Sequence, residues 1–361
     1  MTTSRSILLR ARQRFATIAL LLHIPLFAYP VLRLCGWFGL GFWPTLLVFL
    51  PLFFSQIFSR VVLRNPKQRW AKWLRSAADI WLGISPVVLC LMLLVELPVL
   101  FGWLQPMMAA WLVFGTAVVL TVYSIANALS PAIVTVQLPS DKLQRPLRFA
   151  QISDVHIGSR SQHFLEHVID KVNALEPDFL CITGDFIDAH GIDENQLGAL
   201  RRVTGPTYFS IGNHEKYEDL EDIVQRLCNL GVNVLRNATL HEDHLQVIGI
   251  DDMDDHLQVE RELAKIEIHD HKYVLLLYHR PRGHEAAARA GVDLMLSGHT
   301  HNGQIVPFNL VVNRVFEKAK GLFQHGKSHL YVSSGTGTWG PTMRLGTRSE
   351  ITLFEISPVQ S

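Results

Sequence analysis

The sequence predicts an α/β protein, in which an N-terminal bundle of about four transmembrane helices is followed by a layered α/β domain. Charge divides the 361 residues: residues 1–140 hold 11 Lys or Arg and two acids, whereas residues 141–361 hold 22 bases and 30 acids. Sixteen of the 17 histidines lie in the second part, which alternates short β-branched runs with helical stretches. This division excludes a simple cytosolic globule and a disordered chain, and the four widely separated cysteines exclude a disulfide scaffold.

Four apolar stretches predict the transmembrane module, which we assign to residues 1–130. A spanning helix needs about 20 mostly apolar residues. The four spans are placed near residues 16–33, 37–58, 77–99 and 107–129. The first span contains Pro25 and Pro30, and because proline kinks helices, its full insertion is left open.

The positions of basic residues predict the orientation in the membrane. Lys and Arg concentrate in cytoplasmic segments, and here they precede the first span and fill residues 59–75, between the second and third spans. If both segments are cytoplasmic, four spans return residue 130 to the same side. We therefore expect a multi-pass protein of the inner (cytoplasmic) membrane, with its second domain facing the cytoplasm.

The pattern after the membrane module predicts a linker over residues 131–146 and a folded domain over residues 147–361. Alternating strands and helices are typical of strands buried between helices. The predicted strands are 147–152, 179–183, 208–211, 232–235, 245–250, 273–278, 293–297, 329–334 and 350–356. The predicted helices are 161–175, 217–230, 257–266 and 283–290.

Residues able to bind metal follow five of the predicted strands. They are Asp154 and His156, Asp185 and Asp188, Asn213 and His214, His279, and His299 and His301. Ligand sites in α/β proteins gather at the carboxyl ends of strands, so we expect one shared crevice. Imidazole and carboxylate suit Zn, Mn or Fe, and the set exceeds the four ligands of one tetrahedral site. Two metals bridged by a carboxylate would use the set and could drive phosphoryl transfer by activating a water.

These residues stand in motifs that resemble the calcineurin-like metallophosphoesterases. The five blocks, in the order of that family, are Asp154-Val155-His156, Gly184-Asp185-Phe186-Ile187-Asp188, Gly212-Asn213-His214-Glu215, His279 and Gly298-His299-Thr300-His301. The context Tyr278-His279-Arg280-Pro281 further resembles the membrane-anchored bacterial branch, described as transmembrane proteins with a metallophosphoesterase domain. The resemblance implies an α/β/β/α domain and a hydrolase acting on phosphoester or phosphoanhydride bonds.

The resemblance also implies a role for each motif residue and two divalent cations, Mn, Zn or Fe. The implied metal ligands are Asp154, His156 and His301 for the first ion, Asn213, His279 and His299 for the second, and Asp185 as the bridge. His214 would face the phosphate as general acid or charge stabiliser, so that it and Asp185 are the catalytic candidates. Asp188 would orient a ligand without binding metal.

Apolar residues beyond His301 bear on the substrate. Residues 305–323 and the segment around Trp339 are interpreted as core and a closing loop, or alternatively as an apolar lip that admits a lipid tail. Trp339 and Arg344 are the candidate substrate contacts, since an arginine there could bind a phosphate. The acidic domain argues against nucleic acid, so the expected partners are the bilayer and a phosphorylated small molecule.

Three functions are left open by the sequence. The first is a membrane-bound binuclear phosphoesterase, using metal-activated hydroxide, whose lipid-linked substrate the resemblance would allow to be the UDP-2,3-diacylglucosamine of lipid A synthesis. The second is a phosphodiesterase for a soluble nucleotide or other small phosphoester, with the membrane as anchor only. The third is a non-catalytic signalling or scaffold protein, against which the complete ligand set argues.

Overall fold

The computed structural model describes residues 21–63 and 68–359. The chain divides into two compact units. One consists of Met1–Ser124 with Pro341–Met343, and the other of Ile125–Gly340 with Arg344–Ser361.

Apolar helices build the first unit. They are α1 (Leu21–Trp37), α2 (Phe42–Val61), α3 (Arg69–Leu100) and α4 (Pro106–Leu129), the last of which continues into the second unit. Of the described helices, α2, α3 and α4 are long and apolar enough to cross a membrane. The predicted first span, near residues 16–33, begins outside the described residues, and its described part from Leu21 onward is helical. Helix α3 starts eight residues before the predicted 77, because its basic first turns remain helical beyond the apolar stretch.

Ion pairs join the helices of this unit. Arg33 of α1 contacts Glu96 of α3 at 2.5 Å, and the Tyr29 hydroxyl donates to the same carboxylate at 3.0 Å. Arg60 of α2 contacts Asp79 of α3 at 3.3 Å. Charged side chains in an apolar bundle require partners, and these pairs connect α1 and α2 to α3.

Two six-stranded sheets form the second unit. Their strand orders are β1-β12-β2-β3-β4-β5 and β10-β11-β9-β8-β7-β6. The strands are β1 (Ala132–Ser140), β2 (Leu147–Ile152), β3 (Phe179–Thr183), β4 (Thr207–Ser210), β5 (Val232–Val234), β6 (Ala238–His241), β7 (Leu245–Ile250), β8 (Tyr273–Tyr278), β9 (Leu294–Ser297), β10 (Gly321–His325), β11 (Ser328–Val332) and β12 (Glu350–Pro358). Strands β2 to β5 are parallel, as are β7, β8, β9 and β11, whereas β12 runs antiparallel to β2.

Helices cover the outer faces of both sheets, which gives the α/β/β/α order implied by the sequence. The helices of this unit are α5 (Gln162–Asn173), α6 (Glu194–Leu197), α7 (Leu220–Asn229), α8 (Gln258–Leu263), α9 (His284–Ala290) and α10 (Phe308–Val315). One apolar cluster joins the first sheet to α5 and α7, and another joins the second sheet to α8 and α9. Between the sheets, the Phe149 ring stacks on Phe179 and on Phe354, each at 4.8 Å.

The structure differs from the sequence prediction at the start and near the end of this unit. Residues 132–140, assigned to a linker, form β1, which pairs in parallel with β12. Alternate residues such as Val136 and Leu138 are buried, and the edge position tolerates Pro139. The predicted closing segment contains helix α10 and strand β10, neither of which was predicted.

Candidate metal centre

The predicted site residues meet where the carboxyl ends of the two sheets adjoin. They follow β2, β3 and β4 of the first sheet and β8 and β9 of the second. The ligand atoms of Asp154, His156 and His301 all lie within 4.8 Å of one another. The same holds for Asp185, His279 and His299. The candidate ligands thus gather in compact groups at these strand ends.

Close contacts between potential ligand atoms define the first group. The Nε2 atoms of His156 and His301 are 3.1 Å apart, and His301 Nε2 lies 3.4 Å from Asp154 Oδ1. These side chains are buried. Two imidazole nitrogens and a carboxylate oxygen thus converge where a cation could bind all three.

The second group is built in the same way. His279 Nε2 lies 3.0 Å from Asp185 Oδ2 and 3.2 Å from His299 Nδ1. The other oxygen of Asp185, Oδ1, accepts the main-chain N–H of His214 at 2.8 Å. The His299 main-chain N–H donates to Asp154 at 3.1 Å, which connects the two groups. Asn213 Oδ1 is buried without a hydrogen-bond partner among the described residues.

The main chain is strained at five of these positions. Asp154, His156, Asp185, His299 and His301 all have φ between 47° and 72°. A non-glycine residue in this left-handed region costs of order 1–3 kcal/mol, and such strain clusters at functional sites. The fold therefore accepts a cost in stability to bring these side chains together.

Two glycines allow the loops to approach one another. A Cβ on Gly212 would lie 2.3 Å from Asp185 N, and one on Gly298 would lie 2.0 Å from Ser153 Oγ. Any larger residue would push these loops apart, which explains why glycine precedes Asn213 and His299.

Hydrogen bonds orient the histidine rings. The His279 Nδ1 donates to the main-chain oxygen of Thr183 at 2.9 Å, which leaves Nε2 facing Asp185. Asp188 Oδ2 lies 3.4 Å from His156 Nδ1 and accepts a bond from the Ser159 hydroxyl at 2.5 Å. Such partners fix the ring orientation of metal-binding histidines. Asp188 also forms a group of potential ligand atoms with His156 and His214, and its supporting role stays a prediction.

No role is predicted for Glu215 from the sequence, although it ends one of the motifs. Its buried carboxylate accepts four main-chain N–H groups, from Asp185, Phe186, Ile187 and Gly212. These bonds hold the loops after β3 and β4 together. The sequence feature that could have indicated this role is an acidic residue within the motif Gly212-Asn213-His214-Glu215.

Arg344 was predicted to contact substrate, and the structure contradicts this. The residue is fully buried. Its guanidinium donates to the main-chain oxygens of His301, Gly335 and Gly337 at 2.8–3.1 Å and lies 3.3 Å from His301 Nδ1. Arg344 therefore supports the loop of His301 and has no surface to offer a ligand. The neighbouring Arg348 is exposed.

The charges of the buried groups favour a cation. Burial opposes charge on His279, yet Asp185 and Asp154 outweigh it and raise the pKa of His279 to about 10. Burial and the adjacent His279 lower the pKa of His299 to about 3, whereas burial raises the pKa of Asp154. A proton on His279 thus neutralises carboxylates that a metal ion would neutralise in its place.

Exposed apolar residues adjoin the site. Trp339 is 58% exposed, and its ring centre lies 6.3 Å from that of His214. On α10, the side chains of Phe308, Leu310, Val311 and Val315 are 52–68% exposed, and we call them the α10 apolar surface. Residues 305–323 are interpreted from the sequence as core and a closing loop, and the core interpretation is wrong for these four side chains. Phe316, directly after α10, lies 5.6 Å from the His299 ring.

Comparison with known proteins assigns the family. A family profile described as calcineurin-like phosphoesterase matches residues 147–303. An uncharacterized metallophosphoesterase of Aquifex aeolicus is 30% identical over 256 aligned residues, covering 66% of this chain and 97% of that protein. The chain belongs to the calcineurin-like metallophosphoesterases.

Two longer relatives resemble this metallophosphoesterase. An uncharacterized metallophosphoesterase of Campylobacter jejuni is 34% identical over 244 residues, covering 64% of this chain and 65% of that protein. A Danio rerio protein named transmembrane protein with metallophosphoesterase domain is 32% identical over 269 residues, covering 65% of this chain and 59% of that protein. The chain thus spans slightly less than two thirds of each. Together with α2, α3 and α4, the second name indicates a membrane protein with a phosphoesterase domain.

Proposed function

We propose that this metallophosphoesterase binds two divalent cations, Mn, Zn or Fe, and hydrolyses a phosphoester or pyrophosphate bond. The observation that carries the proposal is the pair of ligand groups, each within bonding range of one cation and joined through neighbouring loops. The proposed ligands are Asp154, His156 and His301 for one ion, Asn213, His279 and His299 for the other, and Asp185 for both.

Three observations of the structure fit bound cations. Asn213 Oδ1 is a buried acceptor that has no donor among the described residues, and buried polar atoms normally have a partner. His279 presents Nε2 because Thr183 holds Nδ1. The strained conformations of Asp154 and Asp185 bring carboxylates together that would repel one another without positive charge.

The chain's own residues would place the phosphate and stabilise the leaving group. Bound cations would supply Lewis-acid polarisation of the phosphoester and would acidify an attacking water. The main-chain N–H of His214 donates a hydrogen bond to Asp185. Burial lowers the pKa of His214, so its neutral ring can donate one N–H to a phosphate or leaving-group oxygen.

The proposed substrate is a lipid-linked phosphoester, of which UDP-2,3-diacylglucosamine in lipid A synthesis is one example. The α10 apolar surface supports this, because exposed clustered apolar side chains mark interaction sites. It adjoins the metal ligands: a Cβ on Gly303, two residues after His301, would lie 2.3 Å from Asn309 Cα of α10. Phosphate chemistry and an apolar surface are thus available to one molecule.

We further propose that the protein is a multi-pass protein of the inner membrane with the phosphoesterase domain in the cytoplasm. The basic residues of the segment 59–75 support this orientation, since such segments remain cytoplasmic. A substrate embedded in the inner leaflet would then meet the domain at high local concentration.

The test compares hydrolysis of a diacylated nucleotide sugar with hydrolysis of its deacylated counterpart by the full-length protein in detergent. We expect a higher kcat/KM for the acylated compound, and we expect Leu310→Gln to reduce that preference. Leu257→Gln, at a position 61% exposed outside the α10 apolar surface, should keep it. Preference for the deacylated compound would favour a soluble-nucleotide phosphodiesterase, and hydrolysis of neither would contradict the enzymatic proposal.

A further inference from the structure

Two exposed aromatic rings lie beside His214. The Trp339 ring lies 6.3 Å from the His214 ring, and the Tyr217 ring lies 5.9 Å from it. Trp339 is 58% exposed and Tyr217 is 67% exposed. Each ring contacts the His214 ring edge to face and leaves more than half of its residue exposed to solvent.

The main chain under the Trp339 ring is fixed from the metal centre. The Trp339 N–H donates to Gln304 Oε1 at 2.9 Å, and Gln304 Nε2 donates to the Trp339 oxygen at 3.1 Å. Gln304 is buried and lies three residues after His301. A rigid support with an exposed ring is a preorganised binding element, because little entropy is lost when a ligand stacks on it.

The main chain under the Tyr217 ring is fixed in a similar way. The Tyr217 N–H donates to the His214 oxygen at 3.0 Å. The same short turn contains Glu215, whose carboxylate holds the loops after β3 and β4. The main chain that carries each ring is therefore fixed relative to the proposed phosphate position at His214.

We infer that Tyr217 and Trp339 bind the planar base of a nucleotide whose phosphate lies at His214. The inference rests on the proposed function, because that function places the phosphate. A nucleotide separates its phosphate from its base by one ribose, and the two ring centres lie 5.9 and 6.3 Å from the His214 ring centre. Aromatic rings can stack on any type of base, whereas the aliphatic side chains of α10 suit acyl chains.

The test is equilibrium dialysis of the full-length protein in detergent against two phosphonates. They are the analogues of uridine 5′-monophosphate and of ribose 5-phosphate in which carbon replaces the bridging ester oxygen, so neither can be hydrolysed. Stacking predicts that the uridine analogue binds about tenfold more tightly. Trp339→Ala and Tyr217→Ala should each remove most of that difference and leave binding of the ribose analogue unchanged.

Conservative and distant variants complete the design. Trp339→Phe and Tyr217→Phe should keep most of the preference, and so should Phe308→Ala, which removes an exposed ring from α10. Equal binding of both phosphonates by the parent, binding of neither, or equal weakening of both by the alanine variants would overturn the inference. Hydrolysis of a generic phosphoester is measured separately. A base preference without hydrolysis would contradict only the proposed function, and hydrolysis without a base preference would contradict only this inference.

Discussion

His279 Nδ1 lies 2.9 Å from the main-chain oxygen of Thr183 in a buried hydrogen bond. This contact connects the loop after β8 of the second sheet to the end of β3 in the first sheet. It also fixes which ring nitrogen faces Asp185. The position of the proposed second cation therefore depends on how the two sheets pack against each other.

Replacement of the buried Arg344 should destabilise the domain. Arg344→Gln would leave main-chain oxygens of His301, Gly335 and Gly337 without donors, and each unsatisfied buried group costs about 1–3 kcal/mol. We expect a loss of at least about 2 kcal/mol in the free energy of unfolding, together with weaker metal binding through His301. Thermal unfolding in detergent and metal titration measure the two effects. Arg348→Gln, at an exposed position, should change stability by less than about 0.5 kcal/mol, and equal effects of the two variants would contradict this account.

Glu215 should be required for the geometry of Asp185. Glu215→Gln replaces one acceptor oxygen with an NH₂ group that would face main-chain N–H donors. We expect a loss of about 2 kcal/mol in unfolding free energy and a fall in kcat larger than the change in KM. Glu221→Gln serves as the control, because Glu221 is 77% exposed in its pair with Arg236. A fully active Glu215→Gln protein would show that the hydrogen bonds to the Glu215 carboxylate are not required for activity.

Asp188 should act through His156. Asp188→Asn keeps the shape of the side chain but removes the charge facing His156 Nδ1. Loss of such a partner typically weakens metal binding 10- to 100-fold, so we expect this weakening with little change in unfolding temperature of the metal-free protein. Raised metal concentration should restore activity. An activity loss that excess metal does not rescue would assign Asp188 a direct role.

His284 should make the domain less stable in acid. Its ring is buried, with Nε2 3.3 Å from Ser328 Oγ, and burial followed by the charge of Lys318 lowers its pKa to about 4. Between pH 6.5 and about 4 the unfolded chain therefore binds a proton that the folded chain does not, and stability falls as the pH falls. The unfolding temperature of His284→Gln should decline less over this range than that of the parent. The exposed His167→Gln on α5 should follow the parent, and parallel curves for all three proteins would refute the assignment.

The clustering of the candidate ligands could be predicted because each follows an apolar strand within a short motif, and strand ends of one sheet edge meet in space. Roles that depend on contacts between distant segments could not. Arg344 lies far from His301 in sequence, and nothing in its neighbourhood indicates burial against three carbonyl oxygens. The oxygen of Thr183 belongs to the main chain and leaves no trace in sequence. Strand β1 was obscured by Pro139 within it and Pro131 directly before it. The exposure of the α10 side chains depends on which surfaces the rest of the fold leaves uncovered.

The most direct test of the central claim is the metal content of the purified full-length protein. After dialysis against metal-free buffer, elemental analysis should find about two Mn, Zn or Fe ions per chain in the parent. His279→Gln should retain about one ion, and Asp185→Asn fewer than the parent. A parent protein that holds no such ion after loading, or a His279→Gln protein that keeps the parent's full complement, would contradict the account.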